Sequence, residues 1–141
     1  MADGDRASVV VANPDADVCE VLARVVEAAG HTAVRVTDPA GVTTAVLGSQ
    51  ADAVVLDAGA ANLDALKDLR SPASGANASV RVIVVGSGPA SARLAWQEGA
   101  DAVLSRPFAA TEVGQSLAAS LGRDDSARAA ERRSQVAALQ A

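Results

Sequence analysis

Residues 53–66 read AVVLDAGAANLDAL, and this stretch decides the fold class. Ala53–Leu56 is a short apolar run rich in β-branched residues, the pattern of a strand buried on both faces. Asp57 ends it. Leu63, Leu66 and Leu69 then follow at helical spacing, and Ser71-Pro72 stops that helix. A buried strand, an acidic residue at its end and an amphipathic helix make one β–α unit.

The same unit recurs on either side. Ser8–Ala12 is a buried strand, Asn13-Pro14-Asp15 marks a turn and a helix start, and Val18, Val21, Leu22, Val25, Val26 and Ala29 carry the helix to Gly30. Thr32–Val36 is a second strand. Asp38-Pro39 gives a cap and an N1 proline ahead of Val42, Ala45 and Val46. After the loop-like SPASGANAS (71–79), Val80–Val85 is the most apolar strand and Pro89–Glu98 is a short helix closed by Gly99. Ala102–Leu104 is a fifth strand, and a helix spans about 110–121.

Five strands alternating with five helices predict an α/β domain with a doubly wound, five-stranded parallel sheet, strand order 2-1-3-4-5. Ligands of such sheets sit at the carboxyl ends of the strands. Asn13, Asp57 and Arg106 all follow strand ends, so they converge on one edge. Residues 1–121 form this domain. Residues 122–141 are a tail rich in Ala and Arg, whose weak apolar pattern (Ala129, Ala130, Val136, Leu139) predicts a marginal helix, frayed or docked on a partner.

With 141 residues, 50% hydrophobic and 21% charged, the chain is long enough to bury a core without staples. Aromatics are limited to Trp96 and Phe108, so that core is aliphatic. A net charge of -5 argues against a nucleic-acid partner. The single cysteine, Cys19, excludes an internal disulfide and reads as a small core residue. The N-terminus lacks the pattern of a signal peptide, and no apolar run reaches membrane-spanning length; a cytoplasmic protein with no membrane partner is the expectation.

Asp57 after the third strand, Glu98-Gly99-Ala100-Asp101 before the fifth, and Arg106-Pro107-Phe108 after it stand in a characteristic order. Over residues 8–121 the chain resembles the receiver domain of two-component response regulators. The resemblance implies that Asp57 is the phosphoacceptor and that Arg106 takes the place of the family's lysine, carried by a cis Arg106-Pro107 turn within salt-bridge reach of Asp57. It also implies a Mg²⁺ site made of Asp57 and two acidic residues after the first strand. Those places hold Asn13 and Pro14, with Asp15 and Asp17 just beyond, so Asp57, Asn13 and Asp15 are the candidate ligands of a weak site. As helix-start residues, Asp15 and Asp17 also suit capping.

The family's hydroxyl after the fourth strand falls at Gly86, with Ser87 next as its candidate substitute. The family's switching aromatic falls at Val103. The function expected is an atypical receiver acting in signal transduction as a protein-interaction module, with weak or absent phosphorylation at Asp57. It is not an enzyme beyond autophosphorylation and autodephosphorylation there. Its partner would be a signalling protein, a histidine kinase among the candidates, on the face of the fourth helix, fifth strand and fifth helix; a homodimer stays open. A conventional Mg²⁺-dependent phosphoacceptor is one alternative. A nucleotide or small-molecule binder using Gly86–Ser91 is the other, because strand, G-x-G and helix follow in dinucleotide-site order. No metal-ligand cluster surrounds His31. Trp96 sits where an apolar helix residue packs on the sheet.

Overall fold

The computed structural model describes residues 6–72 and 79–140. Strands β1 (Ser8–Ala12), β2 (Thr32–Val36), β3 (Ala53–Leu56), β4 (Arg81–Gly86) and β5 (Ala102–Ser105) form one parallel sheet in the order β2-β1-β3-β4-β5. Helices α1 (Ala16–Ala28), α2 (Val42–Ser49), α3 (Asn62–Arg70), α4 (Pro89–Gln97) and α5 (Ala110–Leu121) follow the strands in turn. A sixth helix, α6 (Asp125–Gln140), lies in the tail. The fold class and strand order read from the sequence are those observed.

The apolar runs explain why the sheet has two covered faces. Successive strand residues point to opposite sides. Val9, Val11, Val55 and Ile83 pack with Leu22, Val26 and Leu117 on the side of α1 and α5. Val10, Val54, Leu56, Val82 and Val84 pack with Val46, Leu66, Leu69 and Ala95 on the other side. The edge strands β2 and β5 are only half-buried, as their mixed sequences require.

Local differences from the sequence reading are small. Asp38 and Pro39 start a short 3₁₀ turn, Pro39–Gly41, and α2 begins after it. Residues 73–78 of the expected 71–79 loop lie outside the described residues. Cys19 is buried and its thiol donates to the Val11 carbonyl (3.4 Å). Among the described residues no helix is long and apolar enough to cross a membrane.

The tail differs most. α6 packs against α4 of its own chain rather than waiting for a partner. Trp96 is buried, but not in either sheet core; it borders grooves shared with α5 and α6. Its burial agrees with the packing role expected of it, and the tail helix flanks it together with β5 and α5.

Candidate functional site

The parallel sheet puts the ends of β1, β3 and β5 on one edge, and three side chains meet there. Asp57 follows β3, and its backbone N–H donates to the Ala12 carbonyl (2.9 Å), fixing it against β1. Its side chain is 3% exposed. Arg106 follows β5 through a cis Arg106-Pro107 bond and grips the carboxylate with both terminal nitrogens, Nη1 to Oδ1 at 2.8 Å and Nη2 to Oδ2. This is the fork-to-fork geometry that distinguishes arginine from lysine. The hydrogen bond to Asp57 raises the Arg106 pKa, against a smaller opposing effect of burial.

Asn13 closes the site from β1. Its Nδ2 donates to Asp57 Oδ2 (2.8 Å), and its Oδ1 accepts from the Asp15 N–H (2.8 Å). The side-chain oxygen is therefore turned to the backbone and the amide nitrogen to the carboxylate. Asp15 is the N-cap of α1 and accepts from the N–H groups of Asp17 (2.9 Å) and Val18 (3.2 Å). Pro14 contributes no side-chain donor atom. Among the described residues Asp57 is the single carboxylate at the centre, and three N–H donors hold it. A hard divalent cation takes several oxygens, so these residues do not fit one.

The end of the fourth strand borders the same edge. Ser87 is exposed and makes no hydrogen bond to Asp57. A Cβ placed on Gly86 would meet Ser91 Oγ at 3.2 Å and Val103 Cγ1 at 3.9 Å. The hydroxyl nearest the missing side chain thus comes from the first turn of α4, and Val103 packs beside it. Asn62 pins the preceding loop: its Oδ1 accepts from Ala58 N–H (2.6 Å) and its Nδ2 donates to the Val85 carbonyl (2.8 Å).

A second charged cluster lies at the opposite end of β5. Asp101, just before that strand, is 3% exposed. Three arginines converge on it: Arg70 from α3 (2.9 Å), and Arg128 (2.7 Å) and Arg132 (3.1 Å) from α6. The Val82 N–H also donates to Oδ2 (2.9 Å). Burial alone would raise the Asp101 pKa, but the bonds from Arg128 and Val82 and the nearby Arg132 charge hold it below the usual carboxylate value. Burial pushes Arg70 down to about 10, opposed by Asp101. Sequence reasoning noted Asp101 only as part of a motif and missed all three partners.

No protein-family model matches the chain, and no curated protein matches it. Solved structures do. A putative response regulator from Chloroflexus aurantiacus superposes with TM-score 0.72 at 21% identity, covering 84% of this chain and 99% of the other. A response regulator receiver domain protein from Clostridium thermocellum gives TM-score 0.70 at 16% identity over 83% and 95%. This chain has the receiver fold. NtrX from Brucella abortus, in complex with ATP, matches with TM-score 0.71 at 17% identity over 93% of this chain, which spans 29% of NtrX. In terms of the receiver fold, Asp57 and Arg106 occupy the edge where the resemblance placed them, within ion-pair distance of each other.

Proposed function

We propose that this chain is an atypical response-regulator receiver that acts in signal transduction as a protein-interaction module, with weak or absent phosphorylation at Asp57. The observation that supports this reading is the state of the Asp57 carboxylate. Both oxygens accept hydrogen bonds, two from the Arg106 fork and one from the Asn13 amide. To attack a phosphoryl donor, an oxygen must leave a charge-assisted bond, the stronger kind of hydrogen bond. The charge on the transferring group then has one neighbouring guanidinium to balance it, while phosphoryl transfer depends almost wholly on positioning and electrostatic stabilisation.

Signalling through such a fold needs a surface rather than a reaction. The α4–β5–α5 side offers a groove of about 280 Å³ bordered by Trp96, Val103, Leu104, Gln115 and Arg123, with α6 closing one end. A partner docking there meets α5 and β5 first. Gly86 and Val103 leave that surface with little means of sensing Asp57, because a ligand shifts an equilibrium only through different contacts in the two states.

The test is intact-protein mass spectrometry after incubation with Mg²⁺ and acetyl phosphate, run beside a Mg²⁺ titration with a beryllofluoride mimic followed by Trp96 emission. The expected result is little or no phosphoryl adduct and an unchanged spectrum. A stoichiometric adduct and an emission shift, both lost in Asp57→Asn, would instead establish a conventional phosphoacceptor. Adding ATP to the same titration covers the Gly86–Ser91 turn, where no response is expected.

A further inference from the structure

We propose that the outer edge of β5 takes an extended, basic segment of the signalling partner as a sixth strand. This rests on the reading of the chain as an interaction module and names the chemistry of its partner. Among the described residues β5 pairs with β4 alone. The direction of its main-chain groups follows from β4. Val82 turns its N–H to Asp101 Oδ2 (2.9 Å), and its C=O accepts from the Asp101 N–H (2.8 Å), so Val82 faces β5. Main-chain groups alternate sides along a strand, so Val84 faces β5 as well. Val84 is in register with Val103. In a parallel pair such a residue bonds the two neighbours of its partner, here Ala102 and Leu104. The N–H and C=O of Val103 therefore point away from the sheet, as do those of Ser105.

These groups are free to pair. No side chain of the described residues hydrogen-bonds to them, and the Val103 side chain packs against the core that holds Val84 and Ala95. An open strand edge is a template for main-chain pairing, and extended peptides bind domains by adding a strand to one. Val103 borders the groove of about 280 Å³ between α4 and α5.

The lining of that groove selects charge. Glu112 and Glu131 both border it, and neither is in an ion pair among the described residues. Glu112 Oε2 accepts from the Ala109 N–H (2.6 Å) and Glu131 Oε2 from Gln135 (2.8 Å), while Oε1 of each makes no hydrogen bond among the described residues. Ser120 lines the same groove. Its Oγ is the one buried side-chain oxygen or nitrogen without a hydrogen-bond partner among the described residues. The nearby arginines are directed elsewhere: Arg123 Nη1 to the Asp101 carbonyl (3.4 Å), and Arg70, Arg128 and Arg132 to the Asp101 carboxylate. An arginine on the incoming strand brings five donors to these acceptors and a flat cation to the Trp96 ring.

The test uses the full chain and acetylated, amidated hexapeptides: alternating Val and Arg, alternating Val and Glu, and the Val–Arg peptide N-methylated at every residue. Amide exchange is followed by NMR, with Trp96 emission as a second readout. With the Val–Arg peptide at about ten times its Kd, exchange at Val103 and Ser105 is expected to slow about tenfold. Amides of β2, the other edge of the sheet, are expected to stay unchanged. The Val–Glu and N-methylated peptides are expected to give no protection. Glu112→Gln combined with Glu131→Gln is expected to raise the Val–Arg Kd severalfold and flatten its salt dependence, while glutamine keeps the acceptor that caps α5. Unchanged exchange at Val103 with the Val–Arg peptide overturns the proposal. So does equal binding of the Val–Glu or the N-methylated peptide. A chain that dimerises with Val103 protected and takes no peptide overturns it too, because the edge then belongs to a second copy. The receiver reading fails separately, by a stoichiometric phosphoryl adduct at Asp57, which these peptides do not report.

Discussion

Replacing Asp101 by asparagine tests what holds the tail to the domain. The substitution keeps the shape and removes the charge. Arg128, whose side chain is 5% exposed, and the half-buried Arg70 and Arg132 then all lose their ion pair to Asp101. Breaking a buried pair by removing one partner costs about 3–5 kcal/mol, because the remaining charge is left uncompensated. The lower end applies here, since carbonyls of Val80, Gly99 and Ala100 still accept from the arginines. Even about 3 kcal/mol is a large share of an ordinary domain stability of roughly 5–15 kcal/mol. At about 2–8 °C per kcal/mol for domains near this size, Tm falls by roughly 6–24 °C.

If α6 detaches before the domain unfolds, the loss appears first as reduced helix signal in far-ultraviolet circular dichroism and a red shift of Trp96. Arg24→Ala is the control. It breaks the exposed Arg24–Glu20 pair, and such pairs are worth about 0–1 kcal/mol. An Asp101→Asn protein with unchanged Tm and unchanged Trp96 emission would refute the reasoning that the arginine cluster anchors α6.

Three further outcomes are expected. Asp101 titrates lower in the folded chain than its ordinary value, so its stabilising contribution is complete above the unfolded pKa of about 3.9 and is lost as pH falls through the lower folded value. An acid titration of Trp96 emission should be flat from neutral pH down to about 4 and change below it; a transition near pH 6 would contradict this. Arg106→Ala should cost more than Asp57→Asn in urea unfolding, by about 1–2 kcal/mol, because it strands a carboxylate 3% exposed while the reverse change frees a guanidinium 53% exposed. Equal losses would count against the asymmetry. Gly86→Thr should be destabilising alone and be partly relieved by Ser91→Ala, with a coupling of about 0.5 kcal/mol or more, since the new Cβ meets Ser91 Oγ at 3.2 Å; additive effects would place Ser91 elsewhere.

The apolar runs by themselves determined the architecture. Four- to six-residue stretches such as Ala53–Leu56 and Val80–Val85 alternate with helical periodicity, and right-handed crossovers leave few ways to stack them. Because parallel strands share a direction, residues following β1, β3 and β5 had to meet at one edge, and Asn13, Asp57 and Arg106 do. What those side chains do there was settled by the tertiary structure. Asn13 turns its oxygen to Asp15 and its nitrogen to Asp57, a choice made by two partners that lie on different elements. Ser87, adjacent to Gly86 in sequence, is exposed, while Ser91 in the first turn of α4 comes nearest the space a side chain at Gly86 would fill. The Asp101 cluster was least legible. Its arginines lie 27 and 31 residues away in the chain, and pairing between charges at such separations leaves no local period to read. The tail looked marginal because its apolar stripe is weak; it docks through buried arginines, which a hydrophobic pattern does not register.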